Sequence, residues 1–137
     1  MDRELRDGAE RLIELPDDLR AARVARQAVA DTLEQWGVGD RVDEALLAVS
    51  EVAGNAARHG RPPIDLHLSL ADGRVTISVA DHDAACVGPP PPEAALADEG
   101  AESGRGLALV DAVADEWGCC TRQGRKQVWF ALSTSAP

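Results

Sequence analysis

A strict alternation of apolar residues after residue 63 restricts the fold more than any other feature of the chain. Large aliphatic side chains occupy every second position on either side of Asp72-Gly73, at Ile64, Leu66, Leu68, Leu70, Val75, Ile77 and Val79. A period of two predicts strands with one buried face. Asp-Gly between two such runs is typical of a tight hairpin turn. The sequence therefore predicts an antiparallel β-hairpin at this point.

Two helices are predicted before the hairpin. Acidic residues 17–18 favour a helix start, an apolar stripe then runs to about Trp36, and Gly37 ends it. Asp40 is the expected cap of a second helix that runs to about Arg58. Residues 11–15 are short, alternating and apolar enough for an edge strand. The chain therefore begins with a strand and a helix pair.

The second half of the chain is interrupted by a long irregular stretch. Residues 82–103 contain four consecutive prolines, and so long a loop is usually a lid, a binding loop or disordered. A glycine pair at 104 and 106 then opens a helix, and strands are expected at 116–122 and 127–133. The 137 residues are expected to form a single α+β domain. We expect a two-layer sandwich in which helices cover one face of a mixed, mostly antiparallel sheet.

Composition excludes several classes of function. The formal net charge is −10 and aromatic residues are scarce, which argues against direct binding of nucleic acid and would steer a basic protein partner towards the chain. No stretch is apolar enough to span a membrane, and no signal segment is apparent. The three cysteines, an odd count, are expected to be reduced thiols. A cytoplasmic location is therefore expected.

One face of the second predicted helix carries polar groups at helical spacing. In the stretch LLAVSEVAGNAARHG, Glu51, Asn55 and His59 follow one another at intervals of four and stack on neighbouring turns. This face could hold a general base beside a metal-binding amide, or it could be an ordinary solvated face. We interpret His59 as a helix-end residue and not as a catalytic residue.

Two further features follow this helix in order. Asp81 ends a predicted strand, where an aspartate can be a ligand group or merely a turn former. The Gly104-Arg105-Gly106 motif can cradle an anion at a helix start, or it can be a loop that needs positive φ. The order of the three features gives each of them more weight than it has alone.

The motifs together resemble the nucleotide-binding domain of the gyrase, chaperone, histidine-kinase and MutL ATPase superfamily, known as the Bergerat-type fold. The resemblance is closer to one branch, the anti-sigma-factor serine kinases, and it covers nearly the whole chain. The segments that carry it are LLAVSEVAGNAARHG, VTISVAD, ESGRGLALVDAVADEWG and KQVWFAL.

The resemblance implies a role for each site residue. Asn55 would present its amide oxygen to Mg²⁺, which prefers oxygen ligands. Glu51 would be the catalytic base or orient a water near the γ-phosphate. Asp81 would accept a hydrogen bond from the adenine amino group. Gly104, Arg105, Gly106 and Leu107 would bind ATP at the helix start, with Arg105 either adding charge or facing solvent. Residues 82–103 would be the ATP lid.

The sequence departs from the family pattern at two places. The first glycine motif of the family is replaced by Asp81-His82-Asp83-Ala84-Ala85, which adds a negative charge and removes the glycines. Gln127 stands where the last strand of the family commonly carries a threonine that helps to hold adenine. We therefore expect Gln127 to contact the nucleotide, because glutamine can still form a hydrogen bond although its side chain is longer than that of threonine.

The resemblance leaves three functions to compare. The first is an ATP-dependent serine/threonine kinase that phosphorylates an anti-anti-sigma protein and also binds a sigma factor, because added negative charge would weaken the phosphorylated complex. The second is a partner-switching module of the same fold with little or no phosphotransfer. The third, the catalytic part of a split histidine kinase, lacks support because no helical hairpin with a phosphoacceptor histidine precedes the domain. A homodimer is left open.

Overall fold

The computed structural model describes residues 8–82, 102–122 and 124–134, and the side chains of 102–106 and 122 are outside the description. The elements along the chain are β1 (Ala9–Leu15), α1 (Ala21–Trp36), a 3₁₀ turn (Gly39–Arg41), α2 (Val42–His59), β2 (Ile64–Ala71), β3 (Arg74–Asp81), α3 (Glu102–Val113), β4 (Glu116–Arg122) and β5 (Arg125–Ser133). The predicted lid therefore lies outside the described residues, except for its first residue and its last two.

The five strands form one sheet in the order β1-β2-β3-β5-β4, and all four pairings are antiparallel. The predicted α+β sandwich is confirmed, and among the described strands none makes the parallel pairing that a mixed sheet would contain. The edge strand β1 begins at Ala9, two residues before its predicted start, and β5 begins at Arg125, also two residues early.

The central hairpin forms as the alternation predicts. Asp72 and Gly73 both have positive φ, 56° and 71°, which is the backbone of the hairpin turn that matches strand twist. This turn fixes the register so that Leu66 faces Val79 and Leu70 faces Val75. The apolar side chains of both strands consequently lie on the same face of the sheet.

The helices cover that apolar face and close the core. The side chains of Leu66, Leu68, Ile77 and Phe130 are completely buried there, and burial of each such side chain contributes about 1.5–3 kcal/mol. α1 and α2 supply mostly alanine and valine, and these small side chains let the helices pack closely on the larger aliphatic groups of the sheet. The opposite face of the sheet carries residues such as His67 and Gln127.

The helix ends differ in part from their prediction. α1 ends as expected, because Gly37 adopts a left-handed φ of 74° and donates to the last carbonyl groups. Its start is later than residues 17–18, because Asp18 forms a turn in which it binds Arg20 through backbone and side chain. Asp40 is not the cap of α2, since it lies in the 3₁₀ turn and Arg41 occupies the cap position without a side-chain cap bond.

Arg41 joins the beginning of α2 to the end of α3. Its guanidinium donates to Glu44, to the carboxylate of Asp115 and to the Ser133 carbonyl oxygen. The Ser133 backbone N–H, followed by Arg41, lowers the pKa of the Asp115 carboxyl below its usual value. This contact fixes α3 against the sheet, and α3 forms one wall of the site described below.

The cysteines do not all have the expected state. Cys120 is a half-buried free thiol, whereas Cys119 is disulfide-bonded. The prediction of reduced thiols is therefore wrong for Cys119, because cysteine count and spacing along the chain do not reveal proximity in space. Cys86 lies outside the described residues. Among the described helices, none combines the length and the apolar character that a membrane span requires.

Candidate functional site

A narrow cleft lies where the last turns of α2 meet α3 and the adjoining ends of β3 and β5. Among the described residues, the cleft is lined by Val52, Asn55, Ala56, Val79, Asp81, Leu107, Lys126 and Val128. It encloses about 20 Å³, which is room for about one water molecule. The structure thus brings three predicted site residues, Asn55, Asp81 and Leu107, to one narrow cleft.

Asp81 is the most buried charged group of this cleft. It is the last residue of β3 and is only 1% exposed, so its carboxylate needs polar partners to offset the loss of hydration. Strand pairing sets Lys126 of β5 opposite it, and Lys126 Nζ lies 3.8 Å from Asp81 Oδ2. A buried acceptor and a nearby cation therefore face each other in the cleft.

Gly60, which follows α2 directly, makes room for the Asp81 carboxylate. A Cβ added at residue 60 would lie 2.5 Å from Asp81 Oδ2 and 2.7 Å from the Ala56 carbonyl oxygen. The adjoining backbone is held by the His82 N–H, which donates to the Arg61 carbonyl oxygen at 2.9 Å. The close approach of the α2 end to the β3 end thus depends on glycine at this position.

Asn55 is half-buried and its side-chain oxygen is already engaged. Arg58 Nη2 donates to Asn55 Oδ1 at 2.6 Å, over the i to i+3 spacing at which helical side chains meet. This oxygen is the atom that the sequence prediction assigns to Mg²⁺. A metal ion at Asn55 would therefore compete with the guanidinium for this oxygen or share it.

Glu51 lies one turn before Asn55 but does not line the cleft. It is half-buried and makes no hydrogen bond or ion pair within the described part of the chain. The predicted polar face of α2 is therefore present, with Glu51 beside the cleft. His59 is exposed as the final residue of α2, in agreement with a helix-end position.

Gln127 is not brought to the cleft. In the pairing of β3 with β5, Gln127 faces Ala80, whereas Lys126 faces Asp81 and Val128 faces Val79. Because neighbouring residues of a strand point to opposite faces, Gln127 lies on the sheet face away from the helices. Lys126 and Val128 line the cleft in its place, and the role of Gln127 as a nucleotide contact stays a prediction.

The glycine motif lies inside α3. Because this helix begins at Glu102, Gly104 falls in its first turn, where backbone N–H groups lack helical partners, while Arg105 and Gly106 follow. Leu107 is half-buried and lines the cleft. The side chains of residues 102–106 are outside the description, so the two alternatives for Arg105 stay predictions.

The cleft provides local positive charge in an acidic chain. Arg58 and Lys126 flank Asn55 and Asp81, although the formal net charge of the whole chain is −10. In the described parts of the chain, no three His, Cys, Asp or Glu side chains are grouped to hold a metal ion. A Mg²⁺ ion here would take most of its ligands from phosphate and water, as it commonly does.

A second groove, of about 340 Å³, lies between the start of α1 and the last turns of α2. It is lined by Asp18, Leu19 and Ala22 before and within α1, and by Gly54, Ala57 and Arg58 of α2. Arg58 thus lies between the two depressions. None of the predicted catalytic or nucleotide-binding residues lines this groove, so the narrow cleft is the candidate site.

The structure thus combines an antiparallel sheet, covered by helices on one face, with a cleft that both Asn55 and the buried Asp81 line. The chain belongs to the histidine kinase-like ATPase domain family, because the model of that family matches residues 15–132. A search of curated proteins gave no match.

A solved structure with a similar fold contains the RsbU and RsbW domains of Rv1364c from Mycobacterium tuberculosis. The two structures align with a TM-score of 0.69 and 24% sequence identity, over 94% of this chain and 33% of that one. The present chain therefore spans about a third of that chain's length. At this level of identity the similarity shows the fold.

Proposed function

We propose that this chain is an anti-sigma-factor-type regulatory protein that binds Mg·ATP in the cleft and phosphorylates a serine on an anti-anti-sigma partner. The observation that carries the proposal is the convergence of Asn55, Asp81 and Leu107 on one cleft. Family membership supports nucleotide binding, and the resemblance of the quoted motifs to anti-sigma-factor kinases supports partner switching in the cytoplasm. Sigma-factor binding and pairing as a homodimer belong to the same proposal.

The cleft residues divide the work of binding. Asp81, as a buried acceptor, would take a hydrogen bond from the adenine amino group. Leu107 would pack against the nucleotide beside the helix start, where backbone N–H groups favour phosphate. Asn55 would give its side-chain oxygen to Mg²⁺, which when bound neutralises charge on the phosphate oxygens.

Glu51 would act on the attacking hydroxyl group. Glu51 lies one helical turn before Asn55, is half-buried, and has no competing partner among the described residues. A carboxylate in that position can accept the serine proton or orient the hydroxyl group. The phosphate on the partner would then disfavour its complex by added negative charge.

A second function is favoured by a specific observation. The cleft has room for about one water molecule, and Arg58 occupies the oxygen of Asn55. If opening is costly, the chain acts as a partner-binding module that binds nucleotide weakly or not at all. Titration calorimetry with Mg·ATP and Mg·ADP separates the two functions.

The calorimetric experiment has a matched control. We expect the wild-type protein to bind both nucleotides, Asn55→Ala to lose the Mg²⁺ dependence of binding, and Gln35→Ala, an amide change on the exposed side of α1, to behave as wild type. No heat and no thermal shift of the wild type at millimolar nucleotide would reject ATP binding and favour the partner-binding module.

The catalytic assignment needs a phosphotransfer assay. Candidate anti-anti-sigma proteins are incubated with the wild type and with labelled ATP, and phosphoserine is located by mass spectrometry. We expect Glu51→Ala to bind Mg·ADP normally and to lose at least about a hundredfold in transfer rate, since a positioned base contributes on that scale. The exposed Glu34→Ala is the control. Transfer by Glu51→Ala at the wild-type rate would exclude Glu51 as the base.

A further inference from the structure

The cleft contains the only lysine of the chain. The other 13 of the 14 Lys and Arg residues are arginines, and the single lysine, Lys126, stands beside the buried Asp81. Its side chain is 20% exposed and that of Asp81 is 2% exposed. The two residues are direct partners in the pairing of β3 with β5, so the sheet itself holds them together.

This pair is arranged loosely for a structural ion pair. The 3.8 Å separation of Nζ and Oδ2 is at the limit of a salt bridge, whereas Arg41 and Glu44 approach to 2.6 Å. Replacing a buried ion pair by apolar residues of similar size is often neutral or stabilising, so stability alone does not require this pair at this place. The position of the pair in the cleft therefore indicates ligand recognition.

The two side chains offer complementary hydrogen-bonding groups. An ionised aspartate only accepts hydrogen bonds, while a lysine ammonium only donates them, and it can reorient on a flexible stem. Adenine presents an amino donor beside a ring-nitrogen acceptor. Guanine presents a carbonyl acceptor beside ring N–H and amino donors. A carboxylate alone repels the guanine carbonyl oxygen, but a mobile ammonium beside it can satisfy that oxygen.

We propose that Lys126 and Asp81 together read the base edge, and that Lys126 admits guanine nucleotides to a site that Asp81 alone would restrict to adenine. The inference rests on the proposed nucleotide binding in this cleft and names its base specificity. Asp81 accepts from the donor of either purine, and Lys126 donates to the neighbouring acceptor.

The test is calorimetric titration of Mg·ADP and Mg·GDP into the wild type, Lys126→Met and Arg125→Met. Arg125 is the neighbouring residue on β5, and it pairs with Asp65 instead of lining the cleft. We expect the wild type to bind the two nucleotides with affinities within about tenfold of each other. In Lys126→Met, the affinity for GDP should fall by at least about tenfold more than the affinity for ADP, which is the scale of one charge-assisted hydrogen bond. Arg125→Met should keep the wild-type ratio.

A measurement on the unmutated side chain covers the case in which Lys126→Met fails to fold. Reductive methylation with ¹³C-formaldehyde labels only Lys126 and the amino terminus, and it keeps the lysine charge. We expect Mg·GDP to shift the Lys126 methyl resonance.

The outcomes separate this inference from the function on which it rests. Any one of three results overturns the inference and leaves ATP binding intact. The wild type could bind GDP more than about a hundredfold more weakly than ADP. Lys126→Met could keep the wild-type ratio of ADP to GDP affinity, or the Lys126 methyl resonance could stay unmoved when GDP binds. No binding of either nucleotide overturns both.

Discussion

Gly60→Ala tests whether the close approach of α2 to Asp81 is built as described. The new Cβ would stand 2.5 Å from a carboxylate oxygen that is almost fully buried and 2.7 Å from the backbone carbonyl oxygen of Ala56. Neither atom is the far end of a flexible exposed side chain, so the backbone must shift. Overpacking of this kind costs about 1–3 kcal/mol, and we expect the upper half of that range.

A smaller effect acts in the opposite direction. Replacing glycine by alanine where φ is ordinary stabilises by about 0.4–1 kcal/mol, because the unfolded chain has fewer conformations to lose. Gly60 has a φ of −90°, so this gain applies. The expected net loss in the free energy of unfolding is therefore about 1–2.6 kcal/mol.

Urea denaturation followed by circular dichroism measures this loss. The matched control is Gly39→Ala, because a Cβ at residue 39 would meet no atom within 4 Å. We expect this control to change the free energy of unfolding by no more than about 0.5 kcal/mol or to raise it slightly. If Gly60→Ala is as stable as Gly39→Ala, the packing of Gly60 against Asp81 described above is refuted.

Two further predictions concern the surroundings of the cleft. The pKa of Asp115 lies below its ordinary value of 3.8, so its contribution to stability is present above that value and is lost as the pH falls through the lowered pKa. The free energy of unfolding, measured at decreasing acidic pH, should fall by under about 1 kcal/mol over this range, because the Asp115 carboxylate is partly exposed. Asp115→Asn should lack this fall. Arg58→Met frees Asn55 Oδ1 and should raise the Mg²⁺-dependent part of ADP affinity by about threefold or more in calorimetry. Weaker binding would show instead that Arg58 is needed as a phosphate contact.

Local pattern was sufficient to predict the elements that form the core. The alternation around Asp72-Gly73 fixes both the turn and the buried face, because a slip of one residue would expose every aliphatic group of the hairpin. The same holds for α1, whose end at Gly37 is set by a backbone conformation that glycine favours. In these elements local preference and tertiary packing agree.

The site could be predicted only in part, because its geometry depends on how distant strands align. Asn55 and Asp81 were recognisable from motifs, but choosing between Lys126 and Gln127 requires the register of β5 on β3. A shift of one residue interchanges the two faces of a strand. The alternation of Lys126, Val128 and Phe130 was the available signal, since Val128 and Phe130 belong to the apolar face.

The cleft described above is narrow, and a nucleotide that binds in it would require the cleft to open. A ligand that enters only an open form has its apparent affinity reduced by the fraction of molecules that are open, so an open population of about 1% weakens binding about a hundredfold. Any partner that holds α3 away from Asp81 would raise nucleotide affinity, and nucleotide would raise the affinity for that partner by the same factor. The width of this cleft would then serve as the quantity through which nucleotide and protein partner influence each other.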